Sequence, residues 1–442
     1  MPRGRKARAG SSDPRAEGRG PRASTAAPDP TMLRELLERS RRALAELDSL
    51  FSGAKSYFND AINTIAREFE LTEKEISDLF KFKETTLQLL NQAREQARTR
   101  LAELVTALEN GTVTVERGGK KTYRVRPSGE GWFVTAHFRK CWLFTLHVHG
   151  VGADAVFPNV LKLPPEKLRS LQSGWRASDE GTPSRKRAPC MGTTRQWQVV
   201  AWAAVRYGLM RVAITGLHLN KSGPSIAWNL DAKDWRQEWL GPEGKARARE
   251  EAERSALGLL TLYLGDGKMH PDSFLISSGN NEYRKPKELT IELVKEAYEC
   301  SYGKLLDVLK CKKWENLKKL LPKEDPVYVE LAGYRFWLIL EPVYAVFFAR
   351  TLLKSEEEAL RCAQELAKLN VNVKISTYTW RRGGAWKYWL VYLSGREVLK
   401  LAERDESWRA ALKRLTEKKT VQPKGPVTRK LLELAESPPF PS

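Results

Sequence analysis

The first regular pattern in the chain is helical and covers residues 31–110, where apolar side chains recur at intervals of three and four. Leu33, Leu36 and Leu37 start this pattern, and charged residues occupy most of the positions between its members. Such spacing places the apolar side chains on one face of a helix. A stripe of this length needs a partner to cover it, either an intramolecular helical hairpin or a second subunit. The pattern therefore predicts a helical or coiled-coil region.

A capping box at Thr72 and Glu75 predicts that a second helix starts at this point. The segment around it, residues 65–79, also has the apolar spacing of a helix-turn-helix that reads DNA. Its turn residue is Glu70, where glycine is often found. The pattern favours a helical hairpin or coiled coil. A helix-turn-helix that reads DNA, within residues 62–80, is the alternative.

Residues 111–240 change to the alternating pattern that is typical of β-strands. Trp142 and Phe144, for example, fall on the same side of one predicted strand. A helix is predicted over residues 195–206, and the polar stretch 174–189 predicts a loop. A basic cluster in that loop supplies candidate DNA contacts: Arg185, Lys186 and Arg187. The region is therefore predicted to be a mixed α and β domain.

Residues 241–420 combine helices with strands that come in pairs. A helix is predicted over residues 243–264, and paired strands alternate with helices after it. This order favours an antiparallel sheet covered by helices. We therefore predict an α+β protein with an N-terminal helical or coiled-coil segment, a mixed α/β middle domain and a C-terminal domain built on an antiparallel sheet. The predicted regions are a disordered basic tail (1–30), a helical region (31–110), a middle domain (111–240), a C-terminal domain (241–420) and a second tail (421–442).

The net charge narrows the class of partner. Lys and Arg total 75 against 54 Asp and Glu, which gives a formal net charge of +21. An excess of this size favours a polyanionic partner, either nucleic acid or an anionic membrane surface. No apolar run reaches the ~18 residues that a membrane-spanning helix needs, so we expect no membrane protein.

The five cysteines favour a reducing compartment. They are odd in number and far apart, and none forms a Cys-x-x-Cys pair. This spacing argues against a disulfide framework and against a zinc ribbon. His137, Cys141, His147 and His149 lie close enough in sequence for a metal site, although half-buried strand positions are the favoured explanation. We expect a cytoplasmic protein, and high charge with few Cys and Met is typical of thermophiles.

The segment with the most chemical information is residues 256–268, an apolar helix that ends in Gly-Asp-Gly. Small residues at spacings of three and four share one of its faces: Gly258, Thr261 and Gly265. Such a face lets a second helix approach closely. The helix macrodipole opposes an acid at this end, so Asp266 favours a bound cation such as Mg²⁺, which prefers carboxylate and phosphate oxygens. The alternative is an ordinary helix stop, with Gly267 in the left-handed conformation.

Residues 259–267, Leu-Leu-Thr-Leu-Tyr-Leu-Gly-Asp-Gly, resemble the LAGLIDADG motif of homing endonucleases. The elements after it are also similar in order to one half-unit of that family. The resemblance implies a saddle-shaped sheet that lies on DNA, two motif helices packed through small residues, and a divalent metal bound by the last acid of each motif. Carried over to this chain, Asp266 is the catalytic and metal-binding acid, with Gly265 and Gly267 as its flanks. Thr261 stands where the family usually has Gly or Ala.

A single-chain member of that family carries two motifs, and only one is visible in this sequence. Residues 331–333, Leu-Ala-Gly, begin like a second motif, but residues 334–337 alternate like a strand and no Asp-Gly follows. The resemblance therefore implies either a homodimer that cleaves DNA or a domain that binds DNA without cleaving it.

The whole chain also resembles the paralogous repeat family of the hyperthermophilic Pyrobaculum lineage, type two-b. The similarity rests on three segments, residues 174–181, 196–204 and 263–267. It implies an archaeal, thermophilic source and attaches no biochemical activity to the chain.

A second candidate site is the hairpin of residues 380–389, in which basic and aromatic side chains alternate. A two-stranded ribbon fits the DNA major groove, and basic side chains on it can meet phosphates. The candidate contacts are Arg381, Arg382, Lys387 and, in the preceding strand, Lys374.

The sequence supports three hypotheses about function. The first is a protein that binds double-stranded DNA through a LAGLIDADG-like domain and derives from a mobile element. The second is a Mg²⁺-dependent DNA endonuclease that acts as a homodimer, with Asp266 holding the metal. The third is a structural protein whose N-terminal helices only oligomerise. Net charge favours the first two.

Overall fold

The computed structural model of the protein describes residues 30–139, 141–182, 187–270, 273–278, 281–286, 288–321, 327–341, 346–353, 355–379, 387–417 and 425–436. Within these ranges the chain combines helices with antiparallel sheets, which confirms the predicted α+β class. The predicted N-terminal tail lies outside them, apart from Pro30. None of the helices in these ranges is both long and apolar enough to cross a membrane.

The helices and strands follow one another in a mixed order along the chain. The helices are α1 (Pro30–Glu68), α2 (Glu73–Glu109), α3 (Pro165–Ala177), α4 (Gln196–Val205), α5 (Gly241–Glu253), α6 (Ala256–Asp266), α7 (Glu288–Glu299), α8 (Tyr302–Val308), α9 (Lys312–Lys318), α10 (Glu356–Lys368), α11 (Gly395–Ala402), α12 (Glu406–Glu417) and α13 (Pro426–Glu436). The strands are β1 (Val113–Gly119), β2 (Thr122–Pro127), β3 (Val134–Phe138), β4 (Trp142–His147), β5 (Gly152–Phe157), β6 (Glu180–Gly181), β7 (Cys190–Thr193), β8 (Gly208–Asn220), β9 (Gly223–Ala232), β10 (Gly267–His270), β11 (Ser273–Ser278), β12 (Asn281–Pro286), β13 (Val327–Leu331), β14 (Tyr334–Glu341), β15 (Val346–Leu353), β16 (Val373–Thr379) and β17 (Lys387–Leu393).

The described chain divides into two compact units. The first unit contains residues 30–158, 190–199 and 207–234, and the second contains residues 159–189, 200–206 and 235–436. Each unit has its own buried core and its own antiparallel sheets.

The first unit begins with α1 and α2, which pack on each other as a hairpin. The predicted capping box is present at the start of α2. The Glu75 amide donates to Thr72 Oγ1 at 3.3 Å, and the Thr72 amide donates to the Glu75 carboxylate at 2.8 Å. Residues 62–80 therefore form the closed end of a hairpin of two long helices.

An antiparallel sheet completes the first unit, with β1, β2, β3, β4, β8, β9 and β7 hydrogen-bonded in that order and β5 paired with β8. The helical hairpin lies on this sheet. Phe58 of α1 meets Trp228 edge to face, with ring centroids 5.2 Å apart, and Phe82 of α2 meets Phe157 at 5.0 Å. All four rings are buried, so the apolar stripes of both helices are covered within one chain.

The Arg39 side chain links α1 to the sheet through hydrogen bonds and a contact with an aromatic ring. Its guanidinium is buried, lies 4.9 Å from the centre of the Phe144 ring and pairs with Glu35 one turn earlier. Nη1 donates to the carbonyl oxygens of Trp142 at 2.9 Å and Leu219 at 3.2 Å. These carbonyls belong to β4 and β8, so one side chain holds the helix at the ends of two adjacent strands.

The second unit contains a helical group, α3, α5 and α6, and two further sheets. The first sheet has the order β10-β11-β12, and the second has the order β13-β14-β15-β17-β16, with every pairing antiparallel. Helices α10 to α13 bury one face of the five-stranded sheet around Phe336, Leu338 and Trp408.

The structure corrects the sequence predictions for α5, α6 and α13 of the second unit. The predicted helix over residues 243–264 is two helices, because the chain breaks at Ser255, whose Oγ accepts the Gly258 amide at 3.0 Å and caps α6. Residues 426–436, predicted as part of a tail, form α13. Leu431 of this helix is fully buried against α12 and α11, which explains why it is ordered in the fold.

The link made by Arg39 gives a test of the first unit. Arg39→Ala leaves Glu35 and two strand carbonyls without their donor, so we expect a loss of about 2–4 kcal/mol in the free energy of unfolding. The matched control is Arg41→Ala. Arg41 pairs with Glu109 at 2.7 Å but is 58% exposed, and its loss should cost under about 1 kcal/mol. Urea denaturation followed by circular dichroism compares the two, and equal losses would contradict the role given to Arg39.

Candidate active site

Helices α3 and α6 of the second unit pack so closely that the side chains between them must be small. A Cβ atom on Gly174 would lie 2.0 Å from Thr261 Oγ1 and 2.2 Å from the Gly258 carbonyl oxygen. A Cβ atom on Gly265 would lie 2.2 Å from Ser178 Oγ. The small-residue face of α6 that the sequence indicated is therefore covered by a helix of the same chain.

The contact repeats with a constant offset along the sequence. Gly174 faces Thr261, and Ser178 faces Gly265, so both pairs are 87 positions apart (174 to 261 and 178 to 265). Equal offsets require that the two helices run in the same direction with their ends aligned. The same offset matches Asp179 with Asp266 (179 to 266), and the two carboxylates interact electrostatically. Both acids therefore lie at the same end of the helix pair.

Thr261, which stands where the LAGLIDADG motif usually has Gly or Ala, is accommodated by the glycine opposite. Its hydroxyl is fully buried and donates across the interface to the Leu171 carbonyl oxygen at 2.9 Å. A buried hydroxyl needs such a partner. Gly174 thus leaves room for the Thr261 side chain, and the hydroxyl of that side chain adds a hydrogen bond between the two helices.

Asp266 is the last residue of α6, and the chain passes directly into β10 at Gly267. The φ angle of Gly267 is −82°, so the alternative of a left-handed helix stop at this residue is wrong. Glycine is required at this position because the Tyr263 ring leaves no room for a side chain. A Cβ atom on it would lie 2.1 Å from Cδ2 of the Tyr263 ring. The turn from helix to strand thus holds the Asp266 carboxyl in a half-buried position beside the end of α3.

Burial raises the pKa of the Asp266 carboxyl above its ordinary value, and the nearby charge of Asp179 raises it further. The positive charges of Lys245, Lys313 and Arg249 act in the opposite direction and offset part of this pKa increase. Ionisation of Asp266 is therefore less favourable than that of an ordinary aspartate, and a cation between the carboxylates would favour the ionised form.

A lysine bonds to the carbonyl oxygen just before each acid. Lys245 Nζ on α5 donates to the Ser178 carbonyl oxygen at 2.6 Å, and Lys313 Nζ on α9 donates to the Gly265 carbonyl oxygen at 2.6 Å. Ser178 and Gly265 are again 87 positions apart (178 to 265). A cation at a helix C-terminus offsets the macrodipole that opposes the two acids. Each helix end thus carries one carboxylate and one ammonium group.

Glu180 fixes the chain immediately after Asp179. Its carboxylate is fully buried and accepts two hydrogen bonds from Arg206, both at 2.9 Å. It also accepts Trp202 Nε1 at 2.8 Å and Gln237 Nε2 at 2.6 Å. A buried bidentate pair with further donors is a rigid arrangement. The position of Asp179, exposed at the surface, is therefore set by a buried neighbour.

The sequence prediction missed the second acid because it assigned residues 174–189 to a loop. Residues 174–177 are instead the last turn of α3. The signal that identifies it is shared with α6: a small residue, three others, a second small residue and then Asp. Gly174, Ser178 and Asp179 match Thr261, Gly265 and Asp266 in this pattern.

Among the other predicted site residues that the structure describes, none joins this group. Arg187 and Lys374 are exposed on separate elements, before β7 and on β16. Arg185, Lys186, Arg381 and Arg382 lie outside the described residues, as does the Lys387 side chain.

The histidines of the first unit bond to threonines on neighbouring strands. His137 Nδ1 lies 2.8 Å from Thr122 Oγ1, and His147 Nε2 lies 2.8 Å from Thr135 Oγ1. Across the ranges that the structure describes, no group of three or more His, Cys, Asp or Glu side chains is arranged to hold a metal ion.

The helix contact can be tested with two glycines. Gly174→Ala places a methyl group on Thr261 and the Gly258 carbonyl, so we expect a loss of about 1–3 kcal/mol in the free energy of unfolding. The control is Gly53→Ala in α1, where nothing lies within 4 Å of the added Cβ atom. There alanine should stabilise the helix by roughly 0.5–1 kcal/mol. Chemical denaturation measures both, and a neutral Gly174→Ala would contradict the packing described above.

The raised pKa of Asp266 predicts a pH-dependent effect of Asp266→Asn. The folded protein holds this proton more tightly than the unfolded chain, so ionised Asp266 lowers stability as pH rises from its ordinary pKa through the raised folded value. In a chelating buffer at neutral pH, we expect the variant to melt at a higher temperature than the parent. The difference should shrink as pH falls below the ordinary carboxyl range. Melting curves across pH check this, and a variant that is less stable at neutral pH would contradict it.

No family model, no curated protein and no solved structure matches this chain. The function is therefore inferred from the geometry of α3 and α6, from the four charged groups at their ends and from the net charge of the chain.

Proposed function

We propose that this protein binds double-stranded DNA and hydrolyses a phosphodiester bond at the ends of α3 and α6 with the help of a divalent cation. The observation that supports this most is the matched pair of Asp179 and Asp266 on two helices packed in one register. Two acids at helix C-termini oppose the macrodipole, and Asp266 is half-buried as well. Such an unfavourable arrangement is typical of sites that serve function rather than stability.

The residues at the site fit a hard divalent cation such as Mg²⁺. This ion is commonly held by one or two carboxylates and completes its shell with water and substrate phosphate oxygens. Asp179 and Asp266 provide two carboxylates, and the pKa of Asp266 is raised partly by its like-charged neighbour. When bound, the cation would polarise the phosphate and lower the pKa of an attacking water molecule.

The residues of the chain itself supply position and charge. Glu180 and its partners hold Asp179 in place, and the turn at Gly267 holds Asp266. Lys245 and Lys313 keep two ammonium groups beside the acids, where they raise the local concentration of an anionic phosphate.

Sequence-independent affinity for DNA is supported by the net charge and by the first unit. Arg124 and Arg211 are exposed on the face of its sheet that α1 and α2 do not cover. Thr135, Thr145 and His218 lie half-exposed on that face. Basic and hydroxyl side chains on a broad surface are the usual donors to the phosphate backbone. The predicted contacts Arg187 and Lys374 are exposed and belong to this proposal as well.

We propose that the protein acts as a single chain. A homodimer was expected because only one motif helix was recognised, and because the apolar stripes of residues 31–110 needed a cover. Both requirements are met within the chain, by α3 packed on α6 and by the sheet of the first unit packed on α1 and α2. A second subunit then has no role in assembling the acid pair.

A second candidate function is DNA binding without cleavage, and one observation favours it. The Ser178 and Gly265 carbonyl oxygens, which stand next to the acids, already accept hydrogen bonds from lysines. Ammonium groups in these positions supply part of the positive charge that a cation would bring. In this case the acids and lysines together would only orient a phosphate.

A plasmid assay with Mg²⁺ separates these functions. We expect the parent protein to nick supercoiled DNA, and expect Asp179→Asn and Asp266→Asn each to reduce the rate at least about 100-fold, since a metal ligand stabilises the transition state by several kcal/mol. The matched control is Asp60→Asn, an exposed acid on α1, which should leave the rate unchanged.

Binding is measured in the same buffer series with a duplex oligonucleotide. Affinity should fall steeply with salt, because each phosphate contact releases counterions. Steep salt dependence without nicking would select binding without cleavage. Affinity that stays flat from low to high salt would reject both functions.

A further inference from the structure

The five-stranded sheet of the second unit has two faces of different character. Helices α10 to α13 cover one face, whose side chains, such as Phe336, Leu338 and Val391, are fully buried. The other face carries aromatic and basic side chains that are only half-buried or exposed. Within the described residues, every helix that contacts this sheet extensively packs on the buried core side.

The strand register places a row of these side chains across all five strands. Tyr328 is opposite Trp337, Trp337 is opposite Arg350, and Arg350 is opposite Tyr392. Tyr392 is in turn opposite Lys374 on the edge strand. Adjacent strands are about 4.8 Å apart, so the row extends for roughly 19 Å. Along this line, two rings are followed by a positive charge, a third ring and a second positive charge.

Neighbouring side chains on this face add to the row. Phe348 lies two residues before Arg350, and its ring centroid is 5.3 Å from that of Tyr392, with the planes tilted by 31°. Val346, two residues earlier still, is 41% exposed. None of the side chains in the row belongs to the core cluster that the helices bury, and neither do Phe348 and Val346. This partly exposed apolar surface lies outside the core that the helices bury.

Arginine side chains hold the rings in place. The Arg335 guanidinium lies 4.1 Å from the centre of the Tyr328 ring, and the Arg350 guanidinium lies 5.7 Å from both Trp337 and Phe348. Contacts at these distances are cation–π interactions. They orient the rings and, at the same time, keep positive charge within reach of a ligand that lies on them.

Rings with positive charges between them fit one class of polymer. Bases of a single strand expose flat π-faces that stack on aromatic side chains, and the phosphates between those bases pair with Arg and Lys. In a duplex the bases are already stacked on each other, so a flat sheet face reaches only its backbone. An acidic protein would match the charge of the face but not its aromatic rings.

We propose that the open face of the β13–β17 sheet binds single-stranded nucleic acid, with two or three bases stacked along the row of Trp337 and Tyr392. Arg335, Arg350 and Lys374 meet the phosphates. This function goes beyond cleavage at the α3–α6 site and uses none of its residues. It gives the protein a means to hold an unpaired strand independently of the acid pair.

The test is fluorescence anisotropy of the full-length protein with a labelled single-stranded oligonucleotide, in a chelating buffer so that cleavage plays no part. Trp337→Ala and Tyr392→Ala should each weaken binding by about 5- to 150-fold, the range found when a stacking ring is removed. Trp337→Phe keeps a ring and should retain most of the affinity. Affinity for the same oligonucleotide annealed to its complement should stay unchanged in these ring variants, because a duplex offers no unstacked bases to the rings.

Charge controls keep the test independent of folding defects in the ring variants. Lys374→Ala removes an exposed charge on the open face, and Lys413→Ala removes an exposed charge on α12, behind the sheet. Only the first should weaken single-strand binding and reduce its salt dependence. Melting curves establish that each variant is folded. Folded ring variants that bind the single strand like the parent, or that lose as much affinity for the duplex as for the single strand, would overturn the proposal.

Discussion

The close approach of α3 to α6 is the constraint on which the second unit depends. Two helix backbones can come this near only where Gly174 and Gly265 have no side chains and where the facing residues are Ser178 and Thr261. That contact fixes the direction and the alignment of both helices. Because their ends are aligned, the residues that follow the contact meet at one place, and both of these residues are acids. A packing rule about small side chains thus determines where charge accumulates.

The parts of the fold that the sequence predicts well are those whose signals are local. The capping box at Thr72 and the alternation through Phe144 each report on a few neighbouring residues, and the structure confirms both. The break at Ser255 was missed because the apolar pattern continues across it. Helix α13 was missed since the prolines around it suggest a tail, while its ordering depends on burial of Leu431 by distant helices. Long-range burial of this kind leaves no local signal.

The two acids of the candidate site also differ in how well the sequence predicts them. Asp266 follows an apolar helix and is conspicuous, whereas Asp179 follows Ser178 and precedes Glu180, so the segment has the polarity of a surface loop. The structure shows that Glu180 is buried and forms an ion pair with Arg206. The sequence does not indicate this pair, because the two residues are 26 positions apart. Charged residues are assigned to the surface by default, because unpaired burial costs so much. A buried ion pair is therefore the kind of feature that a single sequence conceals.

The two lysines at the helix ends show that the paired site is not a true repeat. Lys245 and Lys313 bond to equivalent carbonyl oxygens, yet they come from α5 and α9 and are not related by the offset that relates the acids. Asp179 is exposed where Asp266 is half-buried. An assembly of two identical chains would impose twofold symmetry on whatever lies across it. A single chain with two unequal halves imposes none, so the ligand proposed for this site can itself be asymmetric about the two acids.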